Sequence, residues 1–175
     1  NPADHMILVG DETVIRGLAP DLPANVSIVA ASQVIGMDEH PALALREKKA
    51  STILVAMDLV RRGEADAVVT AGHTGAGMAA AILRLGRLPG VDRPALAVQM
   101  ITDAGTLVLL DIGANPDSTP ENLLQYAQMG AIFAERVVGI ASPRVALLSI
   151  GEEKGKGDAR IQRATELLDT SGLRF

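Results

Sequence analysis

Val68-Val69-Thr70-Ala71-Gly72-His73-Thr74-Gly75-Ala76-Gly77-Met78-Ala79-Ala80-Ala81 constrains this chain more than any other stretch. A β-branched apolar run stops at a glycine, crosses a short polar turn and restarts as an alanine-rich run of helical character. The pattern reads as a buried parallel strand feeding straight into a helix, with backbone N–H groups gathered at the helix N-terminus. The turn is either an anion-binding corner or a tight strand–helix turn of the kind any α/β protein contains. Its glycines at 72, 75 and 77 do not match the dinucleotide fingerprint, and no Lys-Ser/Thr pair follows to make a Walker A loop.

Composition agrees with an α/β chain. Apolar residues make up 48% of the sequence and aromatics only 2%, which suits helices packed closely on a parallel sheet. It does not suit a nucleic-acid stacking surface, and the net charge of −5 is spread along the chain, so no nucleic-acid partner is expected. The absence of cysteine excludes disulfides, thiolate metal ligands and a cysteine nucleophile, and agrees with a reducing compartment. No apolar run reaches the ~18 residues of a membrane span, and no signal peptide is visible. The working class is a cytoplasmic protein with a single α/β domain over residues 1–175. Asn1-Pro2-Ala3-Asp4-His5, ahead of Met6, has the character of a tag-derived leader.

Taken in order, Met6–Gly10 and Val26–Ala30 read as strands joined by a helix that Asp11 caps, a β-α-β unit. Pro41 opens a short helix ending in Arg46-Glu47-Lys48-Lys49. Ser51 or Thr52 begins the next, with Ile53, Leu54, Met57 and Val60 on one apolar face and Arg61-Arg62-Gly63 closing it. That arginine pair reads as structural. Residues 65–71 are the strand before the glycine turn, and residues 76–85 its helix. Strands 95–100 and 106–112 are separated by a turn short enough for a hairpin, so the sheet is expected to be mixed. Thr119 with Pro120, or a capping box from Ser118, starts a helix to about Val138 that presents Leu123, Leu124, Ala127, Ala131, Ala134 and Val138. Residues 145–150 form the last strand, and a helix follows from Asp158. Leu173-Arg174-Phe175 resembles the start of a further strand and not a natural end.

Three expected strand ends carry polar, glycine-bearing loops, at 72–77, 111–118 and 151–158. Ligands of open α/β sheets bind outside the carboxyl ends of the strands, so these loops are expected to converge on one crevice. Glu152, Glu153, Lys154 and Lys156 sit among glycines at 151, 155 and 157, where a lysine can act as a point charge toward phosphate or an oxyanion. The alternative is a solvated turn of compensating charges. Asp111 and Asn115 either orient a reacting group or bond their own turn. His73 is a better site candidate than His5 or His40. No H-E-x-x-H, paired Asp-x-Asp or G-x-S-x-G pattern occurs, so neither a dedicated metal site nor a hydrolase nucleophile is expected.

Several ordered motifs together resemble the phosphate acyltransferase family PlsX. They are Met37-Asp38-x-x-Pro41 through Arg46-x-Lys48-Lys49, Ala71-Gly72-His73-Thr74-Gly75-Ala76, and Gly86-Arg87-x-Pro89-Gly90-Val91-Asp92-Arg93-Pro94-Ala95. Asp111-Ile112-Gly113-Ala114-Asn115 and Ile150-Gly151-Glu152-Glu153-x-x-Lys156-Gly157 complete the set, which spans nearly the whole chain. The resemblance implies a Rossmann-like three-layer α/β/α sandwich with a mostly parallel mixed sheet. That architecture is similar to the isocitrate/isopropylmalate dehydrogenase and phosphotransacetylase group. It implies transfer of an acyl group from acyl carrier protein to inorganic phosphate, giving acyl-phosphate and free carrier protein in bacterial phospholipid synthesis, with no cofactor and no metal.

Carried onto this sequence, the resemblance points to Lys156 first, with Asp111 and Asn115, as catalytic residues. Gly72, His73, Thr74, Gly75, Gly113, Gly151, Glu152, Glu153 and Gly157 would hold phosphate or substrate, as would Arg46, Lys48 and Lys49. A homodimer is implied, and peripheral membrane association for full-length members. The sequence departs from the family pattern at His73, where many members have Asn, at Pro116, and at Ser118, where Cys is common. It also lacks the family's first strand with its Gly-Gly-Asp loop, and its second half, so the chain is expected to be a fragment of a longer one. The alternatives are a non-catalytic binding or assembly module of the same fold and, less favoured, a dehydrogenase of the related fold.

Overall fold

The computed structural model describes residues 4–113, 115, 117–151 and 156–175. They divide into two compact units, Asn1–Gly86 and Arg87–Phe175. Both mix helices with short strands, and the first contains a parallel strand pair, an arrangement compatible with a Rossmann-like α/β fold.

In the first unit, β1 (Met6–Gly10), α1 (Glu12–Leu18) and β2 (Val26–Ala30) form the expected β-α-β unit, with β1 and β2 parallel and Met6 opposite Val26. The Asp11 carboxylate caps α1, accepting from Thr13 N at 2.8 Å and Val14 N at 3.2 Å. Helices α2 (Pro41–Glu47), α3 (Thr52–Arg61) and α4 (Thr74–Arg84) follow. The core lies among them: Ile53, Leu54 and Met57 of α3 meet Ala44 and Leu45 of α2 and Ala76 and Ala80 of α4, with Ile35 alongside. Alanine at 76 and 80 lets α3 and α4 approach closely, and Leu54 fills the centre with no solvent exposure. The apolar face of α3 differs from expectation at one place, since Leu59 is buried and Val60 only half-buried. Arg61 pairs with Asp58 at 3.0 Å and Arg62 with Glu64 at 2.5 Å, the structural roles expected of them.

The second unit opens with the expected hairpin, β3 (Ala97–Thr102) antiparallel to β4 (Gly105–Leu110). Helix α5 (Pro120–Phe133) continues into a π-helical turn, Ala134–Val138, and α6 (Ala159–Asp169) closes the chain. Thr119 caps α5 through a reciprocal capping box whose third-position partner is Asn122. The most buried line on this helix is Asn122, Tyr126, Gly130 and Ala134; Ala134 is on the face that apolar spacing suggests, while the other three lie one position before Leu123, Ala127 and Ala131. The reason is local: β4 lies against Gly130, where a Cβ would fall 2.6 Å from Leu110 Cδ1. The helix turns the residue without a side chain toward the sheet.

The strands expected at 65–71 and 145–150 carry no ladder among the described residues. A strand needs a neighbour to take its backbone bonds, and here Val145 N finds only Arg174 O, at 2.8 Å. Val69, Leu148 and Ile150 stay exposed, at 98%, 84% and 91%, while Val68, Val145 and Leu147 are half-buried.

Truncating Leu54 removes a side chain with no exposed surface from the meeting point of three helices. Leu54→Ala is expected to destabilise the chain by about 2–5 kcal/mol, read as a lowered midpoint in urea unfolding followed by far-UV circular dichroism.

Candidate functional site

In the first unit the polar groups gather at the N-terminus of α4. His73 is the N-cap, its Nδ1 accepting from Ala76 N at 3.4 Å. That bond assigns the ring proton of neutral His73 to Nε2, which leaves the ring a donor on its outer side. The helical ladder begins with Gly77 N bonding His73 O, so the Thr74 and Gly75 amides have no intrahelical acceptor. Gly75 also brings the start of α2 close, because a Cβ there would lie 3.2 Å from Pro41 Cγ. Upstream, Gly72 N donates to Thr70 Oγ1 at 3.1 Å and tightens the entry to the turn.

Of the three cations ascribed to this region, Lys48 is committed inside the protein. Its Nζ donates to Glu39 Oε1 at 2.6 Å and to Val34 O at 2.8 Å, leaving one of its three protons. Glu39 Oε1 also accepts from Gly36 N at 2.5 Å. The bond from Lys48, then that from Gly36, lower the Glu39 carboxyl below its ordinary value, with a smaller contribution from the Lys48 charge. Arg46 and Lys49 are exposed.

In the second unit Asp111 organises the loop after β4. Its backbone turns left-handed at φ 59°, unusual for a residue with a side chain, and Gly113 follows at φ 95° with its N–H bonded to Asp111 O at 2.8 Å. Asp111 Oδ1 accepts from Asn115 N at 3.1 Å and Asn115 Nδ2 at 3.0 Å. Asp111 Oδ2 accepts from Ser118 Oγ at 2.9 Å. Asn115 Nδ2 gives its second proton to Pro94 O at 3.0 Å. Both amide protons of Asn115 are therefore spent, and only its Oδ1 remains to meet a ligand, as an acceptor. Asp111 serves here as a clamp.

The segment 87–94 is pinned beside this loop by α5. Asn122 Nδ2 donates to Asp92 Oδ2 at 2.8 Å, Asp92 N to Gln125 Oε1 at 2.9 Å, and Gln125 Nε2 to Gly90 O at 3.0 Å. Composition did not single out Asp92, Ser118, Asn122, Gln125 or Tyr126. Asp92 lies in a quoted motif, but its partners Asn122 and Gln125 are 30 and 33 residues away and carry no spacing signal.

Gly151 is half-buried and Lys156 exposed, while Glu152 and Glu153, with Lys154 and Gly155, lie outside the described residues. Gly157 is obligatory in its place: φ is 91°, and a Cβ would meet Ile161 Cγ2 at 2.8 Å and Ser149 Oγ at 2.9 Å. The next residue, Asp158, caps α6 by accepting from Ile161 N at 2.9 Å. Among the described residues no helix is long and apolar enough to cross a membrane.

The sequence profile of the fatty acid synthesis protein family matches residues 1–175, the whole chain. The chain belongs to that family. Within it, the chain is 52% identical over 173 residues to a phosphate acyltransferase of Desulfitobacterium hafniense (strain DSM 10664 / DCB-2), covering 98% of this chain and 52% of that protein. A phosphate acyltransferase of Exiguobacterium sp. (strain ATCC BAA-1283 / AT1b) is 47% identical, covering 100% and 53%. One from Gloeothece citriformis (strain PCC 7424) is 48% identical, covering 95% and 48%. The chain spans about half the length of these relatives of the fatty acid synthesis protein family. The family and the relatives' names agree with the resemblance read from the motifs.

The Glu39 clamp has a defined pH dependence. Its folded value is lowered, so the interaction is fully present above the usual glutamate value of about 4.3 and is lost as pH falls through the lowered one. Hydrogen exchange corrected for intrinsic rates should show the Gly36 amide losing protection on acidification, and Glu39→Gln should abolish that step.

Proposed function

We propose that the chain forms part of an acyl-[acyl carrier protein]:phosphate acyltransferase. The observation that carries the reading is 52% identity to a phosphate acyltransferase across 98% of this chain. The acyl thioester of carrier protein and inorganic phosphate are the substrates in this reading, and the product enters phospholipid synthesis.

A phosphate oxygen attacks the thioester carbonyl carbon, a C–O bond forms and the C–S bond breaks. The sulfur leaves as the thiol of free carrier protein after taking a proton. The reaction calls for donors that hold a multiply charged anion and a cation that offsets the oxyanion charge. The Thr74 and Gly75 amides, the Nε2–H of His73 and the exposed Arg46 and Lys49 supply donors of the first kind, and Gly72 shapes that turn. Lys48 contributes its remaining proton. Lys156 takes the second role, and Gly151, Glu152, Glu153 and Gly157 of the same motif serve as substrate-binding residues. Asp111, Gly113 and Asn115 shape the other loop, where Asn115 Oδ1 accepts from a protonated substrate oxygen or an amide of the carrier's prosthetic arm.

The finer fold reading accompanies this function: one α/β domain over residues 1–175 in a Rossmann-like three-layer α/β/α sandwich with a mostly parallel mixed sheet. The parallel β1–β2 pair and the strand-like apolar runs at 65–71 and 145–150 support it. A homodimer acting in the cytoplasm, with peripheral membrane association of the full-length protein, completes the proposal.

The test is phosphate-dependent release of free carrier protein from long-chain acyl carrier protein. It is run on this chain and on a chimera in which the chain replaces the matched segment of the Desulfitobacterium relative. Release by the chimera is expected, and Lys156→Ala should lower its kcat by about 100-fold. Phosphate-independent hydrolysis, or no release by either protein, would sink the reading. Release by the chimera alone would mark the isolated chain as a binding module.

A further inference from the structure

Ser118 and Tyr126 lie behind Asp111 and Asn115 and have no contact of their own with substrate in the proposed reaction. Ser118 is 4% exposed and Tyr126 3% exposed. Ser118 Oγ is 2.9 Å from Asp111 Oδ2, 3.0 Å from Asn115 O and 3.5 Å from Tyr126 Oη. We propose that Ser118 and Tyr126 are positioning residues, a hydrogen-bonded relay that holds Asp111 and Asn115 in the geometry acyl transfer requires. The inference rests on the acyltransferase reading and deepens it.

The direction of the relay follows from donor and acceptor chemistry. Asp111 Oδ2, an ionised carboxylate oxygen, and the Asn115 carbonyl oxygen can only accept, and Ser118 has a single proton. The carboxylate is the stronger acceptor, so the serine proton goes to Asp111. The Tyr126 hydroxyl is then left to donate to Ser118 Oγ from the buried side. Order passes from Tyr126, seated on α5, through Ser118 to Asp111 Oδ2. The opposite oxygen, Oδ1, holds the backbone and side-chain N–H groups of Asn115.

Asp111 is what makes the relay more than packing. Its left-handed backbone, at φ 59°, is unfavourable for a residue with a Cβ, and its three accepted hydrogen bonds hold it there. Without Ser118 one carboxylate oxygen loses its partner, and the loop is free to relax away from the strained turn. Apolar residues at 118 and 126 would fill the same space, but they would leave Asp111 Oδ2 unmet in a half-buried site.

Tyr126 supplies its own readout, because the chain has one tyrosine and no tryptophan. Its emission is followed in the 175-residue chain and in its variants, and kinetics are measured in the chimera described above. In the relay, Tyr126 emission of the parent chain differs from that of Ser118→Ala, whose tyrosine hydroxyl has lost its Ser118 partner. Ser118→Ala and Tyr126→Phe, the second keeping the ring and its packing, lower kcat about 10–100-fold and leave KM for acyl carrier protein within about twofold. A lowered melting temperature with kcat unchanged in both Ser118→Ala and Tyr126→Phe would overturn the relay and leave the acyltransferase reading standing. Absence of phosphate-dependent release from the parent chimera would bring down the acyltransferase reading, and the relay's role with it.

Discussion

The Asp111 carboxylate is the interaction on which the loops of the second unit depend. It sits where β4 ends and the chain turns left-handed, and it accepts from Asn115 through one oxygen and Ser118 through the other. Asn115 passes the constraint to Pro94, and α5 holds the same segment through Asn122, Gln125 and Asp92. One charged group thus ties a strand end, two loops and a helix start. An ionised acceptor suits this work because each bond it receives is charge-assisted and it can serve several donors.

The first unit solves a different problem with apolar contacts. Helices α2, α3 and α4 close around Leu54, and small residues at 76 and 80 permit the approach. The consequence reaches the surface: packing α2 against α4 brings Pro41 to Gly75, and this sets the start of α2 beside the open amides of α4. The Lys48–Glu39 pair then ties the loop ahead of α2 to its end. A lysine used in this way offers less to an anion than Arg46 or Lys49, a distinction that residue type alone does not make.

Local features were the legible part. Asp11, Pro41, Thr119 and Asp158 start helices where the sequence places them, since a cap or a first-turn proline acts within a few residues of itself. The β-α-β unit and the β3–β4 hairpin were legible for the same reason. Burial was less so. On α3 the line ends at Leu59 and not at Val60, and on α5 it runs through Asn122, Tyr126 and Gly130. Helical period defines a stripe only to within a residue, and which residue is innermost depends on what lies opposite. Residues 65–71 and 145–150 have strand composition without strand pairing among the described residues, because pairing is a property of two segments.

By itself, the sequence determined the chain's family, its helix starts, its hairpin and the glycine turn at 72–77, all of which are written in contiguous residues. The tertiary structure decided the roles within the site. It spent both amide protons of Asn115, turned Asp111 into a clamp, assigned the proton of His73 to Nε2, and placed Ser118 and Tyr126 behind the loop. The physical reason is that a polar side chain's chemistry is set by which of its donors and acceptors are already satisfied. Partners such as Pro94 and Tyr126 are supplied by folding and not by neighbouring positions in the chain.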